Sequence, residues 1–242
     1  NATWTNENLL TYNKQFDKHN INVLLGHSVI GSRFYKTTAS IQGFPTENIY
    51  ELKGGTINPG ATGESEEYKL QSFFGRVNYS YDDRYLFEFN IRHDGSSRMP
   101  KANRYATFPS LSAGWVFSNE GFMKDYRNFS LGKLRLSWGK LGNQNIGYYP
   151  YQQVYSTIAC EYPFGYPGVL QPGVRNITYN NRDITWETTA VTDIGLDFGI
   201  FNGTLTGSID YFYKYTSDIL SSVEKTNILG RGVGESNVGA VS

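Results

Sequence analysis

The chain has 242 residues, with 22 basic and 22 acidic side chains, 26 glycines, an aromatic content of 16% and a single cysteine, Cys160. A neutral chain lacks the basic excess that neutralises phosphate groups, so we expect no nucleic-acid partner. One cysteine excludes an internal disulfide, and no Cys/His set has the spacing of a zinc site. No apolar run approaches the ~20 residues of a membrane helix. The abundance of glycine, tyrosine and phenylalanine instead predicts an all-β protein.

Alternation of apolar and polar residues, the period of a strand with two different faces, predicts eight long strands. They lie near residues 3–14, 19–34, 68–81, 84–93, 104–117, 131–139, 186–199 and 204–216. The two-residue connection Asp82-Asp83 requires antiparallel neighbours, and so does the Asn202-Gly203 turn. We therefore predict an antiparallel up-and-down meander.

The connections between these strands alternate in length. Short connections at 15–18, 82–83, 118–130 and 200–203 alternate with longer ones at 35–67, 94–103 and 140–185. Every second connection of a meander lies at the same end of the sheet, so all short connections share one end. Outer-membrane β-barrels have this arrangement, with short periplasmic turns and longer outer loops.

One face of the predicted strands is apolar and includes Phe87, Phe89, Leu134 and Leu196. Aromatic residues cluster at both ends of this face: Tyr79, Tyr81 and Tyr85 beside the short Asp82-Asp83 turn, and Trp138, Tyr211, Tyr213 and Tyr215 toward the long connections. Aromatic girdles at both edges of an apolar band are typical of barrels that span a membrane.

The opposite face carries charged residues, which a wide barrel directs into its water-filled lumen. They are Arg76, Glu88, Arg92, Arg135, Asp193, Asp197 and Asp210. The alternative fold is a soluble or surface-anchored β-sandwich that binds carbohydrate, and it would expose the same charges to solvent. The two folds differ on the apolar face, because a sandwich buries Phe87 and Leu134 beneath a second sheet, whereas a barrel presents them to lipid.

Several motifs resemble the barrel of SusC/RagA-type TonB-dependent transporters of Bacteroidetes. They are residues 70–86 (LQSFFGRVNYSYDDRYL), 92–98 (RHDGSSR), 108–115 (FPSLSAGW), 133–139 (KLRLSWG), 193–197 (DIGLD) and 210–214 (DYFYK). The resemblance is close over residues 68–242 and loose over 1–67. It implies a bacterial outer-membrane barrel of about 22 strands with a plug inside. It also implies import of glycans or peptides, powered through TonB, under a SusD-like surface lipoprotein that acts as a lid.

Under this resemblance, residues 1–242 are expected to be an arc of the barrel domain, without the plug and the remaining strands. The chain opens on Asn1 without a signal peptide, which fits a fragment or a processed chain. The expected partners are the lipid bilayer, the lid lipoprotein, TonB through the plug, and an oligosaccharide or peptide. We expect no cofactor, no metal and no enzymatic activity, because no nucleophile, base and metal-ligand set converges in the sequence.

The connection at 140–185 is the strongest candidate for contact with the substrate or the lid. It contains seven aromatic residues: Tyr148, Tyr149, Tyr151, Tyr155, Tyr162, Phe164 and Tyr166. Aromatic rings give a large contact area at low entropic cost, which suits sugar rings or a protein partner. The same rings could equally pack the loop against itself or against neighbouring loops.

Overall fold

The structure, a computed structural model, describes residues 1–123, 126, 129–157, 160–176, 180–222 and 234–242. Its strands are β1 (Ala2–Phe16), β2 (His19–Gln42), β3 (Ile57–Tyr81), β4 (Tyr85–Ser96), β5 (Tyr105–Trp115), β6 (Phe129–Asn143), β7 (Tyr155–Ser156), β8 (Glu161–Phe164), β9 (Val169–Pro172), β10 (Arg175–Asn176), β11 (Glu187–Ile200), β12 (Leu205–Ser217), β13 (Leu220–Ser222), β14 (Glu235–Asn237) and β15 (Ala240–Val241). Short 3-10 turns lie at Leu52–Gly54, Lys101–Asn103, Phe117–Asn119 and Gly121–Met123. Within these ranges, no helix is long and apolar enough to cross a membrane.

Among the described residues, nine strands form one antiparallel sheet in the order β1-β2-β3-β4-β5-β6-β11-β12-β15. All eight predicted strands are present, and each pairs with its neighbour in the chain once the short strands of the long connection are set aside. The predicted all-β meander is confirmed.

The predicted long connection at 35–67 is wrong, because most of it is strand. β2 continues to Gln42 and β3 begins at Ile57, and the two strands stay in regular register as far as Ser40 and Gly60 and pair again at Gln42 and Ile57. Side chains on both faces of this extension are mostly exposed. A hairpin that meets water on both sides has no reason to alternate apolar and polar residues, which is why the pattern ended early. The connection itself is 43–56.

The tight turns follow from residue types that accept a positive φ. Asp82 and Asp83 have φ of 52° and 51°, the left-handed conformation at both central positions of a type I′ turn. In the turn that joins β11 to β12, Asn202 and Gly203 have φ of 54° and 82°. Such turns match the twist of the strands they join, so they fix the register of each hairpin locally.

The two faces of the sheet differ in exposure. Phe87, Leu134 and Leu136 are 49%, 43% and 51% exposed, whereas Glu88 and Arg135 on the opposite face are partly shielded. Among the described residues, no second sheet covers the apolar face. The sandwich alternative is therefore wrong, and the shielded polar face is the inner face of a curved wall.

A small hydrophobic core, which we call the mouth core, lies at the long-connection end of the inner face. It consists of Met99, Phe108, Ile146, Ile184 and Trp186, with Leu70, Ala106, Tyr151 and Leu220 packed against it. Phe108 and Trp186 meet edge to face with centroids 5.5 Å apart. The mouth core joins the wall to the connections above it.

Glycines on neighbouring strands make room for inward-facing aromatic rings. The Phe108 ring lies directly over Gly142, and the Phe74 ring lies over Gly26, so closely that an added Cβ would collide with either ring. Pairing of an aromatic ring with a cross-strand glycine buries the backbone that the glycine leaves bare. These contacts fix where Phe74 and Phe108 stand on the inner wall.

Candidate functional site at the long-loop end

Two tyrosines tie the 144–186 connection to the wall of the sheet. The Tyr149 hydroxyl donates a hydrogen bond to the backbone carbonyl of Glu67 at 2.7 Å. The Tyr151 hydroxyl donates to the carbonyl of Ser97 at 3.3 Å. The first acceptor lies on β3 and the second on the 97–104 connection. The segment that holds Tyr149 and Tyr151 therefore links the sheet to that connection.

A third tyrosine of this connection helps to hold Arg98. The Arg98 guanidinium lies 4.4 Å from the ring centroid of Tyr68 and 4.7 Å from that of Tyr148. Its Nη1 donates to the carbonyl of Ile146 at 3.1 Å. Cation–π contacts of this kind stabilise by about 0.5–2 kcal/mol. Sequence reasoning missed Arg98 and Tyr68 as parts of the site, because nothing local in the sequence connects them to residue 148.

Residues near the end of the chain complete this layer of connections. Asn237 accepts from the backbone N–H of Thr185 at 2.8 Å and donates to the carbonyls of Thr185 and Asp218 at 2.9 and 2.8 Å. The Glu235 carboxylate accepts from the N–H of Gly147 at 3.1 Å. These bonds join parts of the 144–186 connection, the 97–104 connection and residues 235–237 into one hydrogen-bonded structure.

The other four candidate aromatics stand away from this structure. Tyr155, Tyr162 and Phe164 are 60%, 47% and 65% exposed, and Tyr166 is fully exposed. Three of them belong to a hairpin, which we call the aromatic hairpin, formed by β8, β9 and the turn between them. At its base the N–H of Gly173 donates to the carbonyl of Cys160 at 2.6 Å, and the Cys160 thiol, which is buried, contacts the carbonyl of Ser156.

The seven candidate aromatics thus divide into two groups with different surroundings. Tyr148, Tyr149 and Tyr151 contact other connections, as expected if the loop packs on its neighbours. Tyr155, Phe164 and Tyr166 present their rings to the outside, and the Tyr162 ring lies over Gly173 but stays 47% exposed.

Below the mouth core, the inner face forms a groove of about 460 Å³. Polar residues from several strands line it, among them Asn22, Asn78, Glu88, Arg135 and Asp193. A second hollow of about 760 Å³ lies closer to the mouth core. Its lining includes Arg76, Arg92, Asp94, Phe74 and Phe108.

Charged residues of the inner face pair across the strands. Arg135 donates two hydrogen bonds to Asp197, both of 2.9 Å, and a third to Asp210 at 2.7 Å. Arg92 bonds Asp94 at 3.2 Å and lies 5.3 Å from the ring centroid of Phe74. The bonds of Arg135 tie three neighbouring strands, β6, β11 and β12, whereas Arg92 and Asp94 lie on the same strand, β4.

Of the remaining predicted lumen residues, Glu88 has a side-chain hydrogen bond, whereas Arg76 and Asp193 have none among the described residues. Glu88 accepts a hydrogen bond from Asn90 at 2.7 Å. Arg76 and Asp193 line the two hollows, and the described residues offer neither of them a side-chain hydrogen bond or an ion pair. No group of three or more His, Cys, Asp and Glu within the described ranges is placed to hold a metal ion.

A wall with an exposed apolar face, a shielded polar face and all its tight turns at one end defines a segment of an outer-membrane β-barrel. Residues 1–241 match the family described as TonB dependent receptor-like, beta-barrel, and the chain belongs to that family. The resemblance in the motifs is confirmed, and the chain is part of a bacterial outer-membrane protein.

Individual relatives agree with this assignment. TonB-dependent receptor SusC of Bacteroides thetaiotaomicron is 47% identical over 161 residues, which are 64% of this chain and 16% of that protein. TonB-dependent receptor P26 of Formosa agariphila is 34% identical over an alignment of 253 positions, 98% of this chain and 24% of that protein. The structure of the RagAB peptide transporter matches with a TM-score of 0.86 and 28% identity, over 98% of this chain and 26% of that chain. The chain therefore spans between about a sixth and a quarter of the length of these proteins, which are receptors and transporters.

Proposed function

We propose that this chain forms part of the wall and outer loops of a TonB-dependent importer of large nutrients, either glycans or peptides. In this proposal residues 1–242 are an arc of the barrel domain, and a plug elsewhere in the complete protein engages TonB. A SusD-like surface lipoprotein closes the outer end as a lid. Membership of the receptor family and the similarity to a peptide transporter support the proposal.

The observation that carries the proposal furthest is the contrast between the anchored loop and the aromatic hairpin. Tyr149 and Tyr151 hold the connection against the wall, while Tyr162, Phe164 and Tyr166 stay exposed. Exposed aromatic rings offer a large contact area at low entropic cost, so they suit a lid protein or a nutrient. We assign the contact to these three residues and to Tyr155, and a supporting role to Tyr148, Tyr149 and Tyr151.

The inner face has a separate role in this proposal. Its seven charged residues face the lumen: Arg76, Glu88, Arg92, Arg135, Asp193, Asp197 and Asp210. The polar groove of about 460 Å³ supports this orientation, because a wet lumen solvates such residues. We propose transport without catalysis, since the described residues bring no nucleophile, base and metal-ligand set together.

The test replaces Tyr162, Phe164 and Tyr166 by alanine in the complete transporter. Truncating aromatic anchors in a contact costs about 1 kcal/mol or more each, so the loss of three should weaken binding of the lid or of the nutrient roughly 100-fold or more. Co-purification measures the lid, and calorimetry with oligosaccharides and with peptides measures the nutrient. The matched control is Tyr50→Ala, an 84% exposed tyrosine in the 43–56 connection. Unchanged binding of both the lid and the nutrient would remove the aromatic hairpin from the proposal.

A further inference from the structure

The outward face of the sheet changes character toward its long-connection end. From Tyr81 to Phe73 along β3 its residues are apolar or aromatic, and Gln71 is the first strongly polar one. On neighbouring strands the same face carries His27, His93 and Thr107, which the register places level with Phe73, one outward position below Gln71. Four adjacent strands therefore carry a row of polar side chains where a sheet that contacts only hydrocarbon would carry apolar ones.

These side chains are joined by direct contacts. The Tyr105 hydroxyl donates to the Gln71 amide oxygen at 3.0 Å, and the Gln71 amide nitrogen lies 3.1 Å from Nε2 of His27. The His93 ring stacks on Tyr105 with centroids 5.1 Å apart, and its Nδ1 lies 2.9 Å from the Thr107 hydroxyl. We call this row the polar row. It is a fixed arrangement of side chains that present hydrogen-bonding groups outward.

The depth of the polar row matches the outer edge of the membrane. Gln71 is ten residues from Tyr81, which stacks with Tyr85 beside the tight turn. A strand that rises about 3.3 Å per residue and tilts by about 40° climbs roughly 25 Å over that distance, which is the height of the apolar band of such barrels. The polar row therefore lies at the level of the lipid headgroups of the outer leaflet.

A cationic cluster lies directly above the polar row on the same face. Arg33 and Lys69 both approach the single carboxylate of Glu67, at 2.8 and 3.4 Å, which leaves one positive charge in excess. The side chains of Arg33 and Lys69 are 54% and 62% exposed. These cations can therefore accept a further anionic partner without leaving the carboxylate.

We propose that the polar row and the cationic cluster together bind the phosphorylated amino-sugar headgroup of the glycolipid in the outer leaflet. The cluster supplies Arg33 and Lys69 for a phosphate, and the row supplies Gln71, His93 and Thr107 for sugar hydroxyl and amide groups. The site is continuous with the apolar face that contacts the acyl chains, so one lipid molecule spans both surfaces. This inference depends on which face meets lipid and not on what the transporter imports.

The experiment is native mass spectrometry of the complete transporter with added lipid A, the acylated and phosphorylated amino-sugar anchor of this glycolipid. Each basic residue near an anionic surface contributes about 1 kcal/mol, or roughly fivefold in affinity. The double variant Arg33→Gln with Lys69→Gln should therefore bind lipid A roughly 25-fold more weakly. The matched control is Lys36→Gln, which removes an equally exposed lysine on the opposite face of the same hairpin, where it pairs with Glu64.

Two further arms identify what the site recognises. Dephosphorylated lipid A should bind the wild type as weakly as lipid A binds the double variant. Phosphatidylglycerol, which carries a phosphate but no amino sugar, should compete poorly for the site. The inference is overturned if lipid A binding survives the double variant, if Lys36→Gln weakens it equally, or if either of these two lipids binds the wild type as well as lipid A does.

Discussion

The two ends of this barrel wall are held together by different kinds of contact. At the tight-turn end, Glu120 accepts hydrogen bonds from Trp115 five residues earlier and from Tyr85 across one hairpin. At the long-loop end, Trp186 donates to the carbonyl of Arg104 and packs on Phe108, about 80 residues away. The tight-turn end can form as each hairpin closes, whereas the mouth core forms only when distant strands are already in register.

Removing Trp186 should disrupt the long-loop end most. Trp186 is 6% exposed, and truncation of a buried tryptophan costs about 3–5 kcal/mol. We expect Trp186→Ala to release the 144–157 segment, seen as lost hydrogen-exchange protection there, while the sheet stays protected. Phe122→Ala, which removes an exposed ring at the tight-turn end, is the control. Full protection of the segment in Trp186→Ala would mean that the mouth core does not hold the loop.

A smaller effect is expected from Gly142→Ala. The added methyl group collides with the Phe108 ring, and overpacking of this kind costs about 1–3 kcal/mol. The melting temperature of the barrel in detergent should fall. Gly121→Ala at the opposite end is the matched control, because no atom lies within 4 Å of the new methyl group. The comparison between the two ends fails if both variants melt at the same temperature.

The smallest effect is expected at Glu120. Hydrogen bonds from Tyr85, and then from Trp115, lower the pKa of the Glu120 carboxyl. A lowered pKa stabilises the folded state above the ordinary glutamate range of about 4.3, and this contribution is lost as the pH falls through the lowered pKa. Glu120→Gln should therefore lower the melting temperature slightly at neutral pH and flatten its decline in acid.

The control for this variant is Glu64→Gln, which removes an exposed carboxylate at the far end of the β2–β3 hairpin. Melting curves recorded from neutral to acidic pH give the comparison. An acid decline in Glu120→Gln as steep as in the wild type would assign the pH dependence to other carboxylates.

The sequence predicted the sheet well where one face meets a different medium from the other. Phe87 and Glu88, or Leu134 and Arg135, alternate because one is directed outward to lipid and the next is directed inward. The same reasoning failed for the extension of β2 and β3, where Lys36 and Glu64 are both in water. Alternation reports a difference between two surroundings, so it ends where the surroundings become equal.

The roles of the loop aromatics could not be separated from the sequence. Tyr149 and Tyr155 are both tyrosines in similar sequence surroundings. In the structure, however, the Tyr149 hydroxyl donates to the carbonyl of Glu67, whereas Tyr155 is exposed. The distinction depends on partners about 80 residues away, whose position requires the register of β3 and β4. Local patterns carry no information about such pairs.

The extended β2–β3 hairpin has a consequence for the shape of the outer surface. Its two arms stay in regular register from the polar row to Ser40 and Gly60, so the hairpin projects roughly 30 Å beyond that row. Each residue adds about 3.3 Å along the strand. Removing one residue from each arm would turn the side chains above the deletion to the opposite side. Removing two would lower the tip by about 5 Å and keep every side chain on its own side. Insertions or deletions therefore keep the two faces of this hairpin only when each strand changes by an even number of residues.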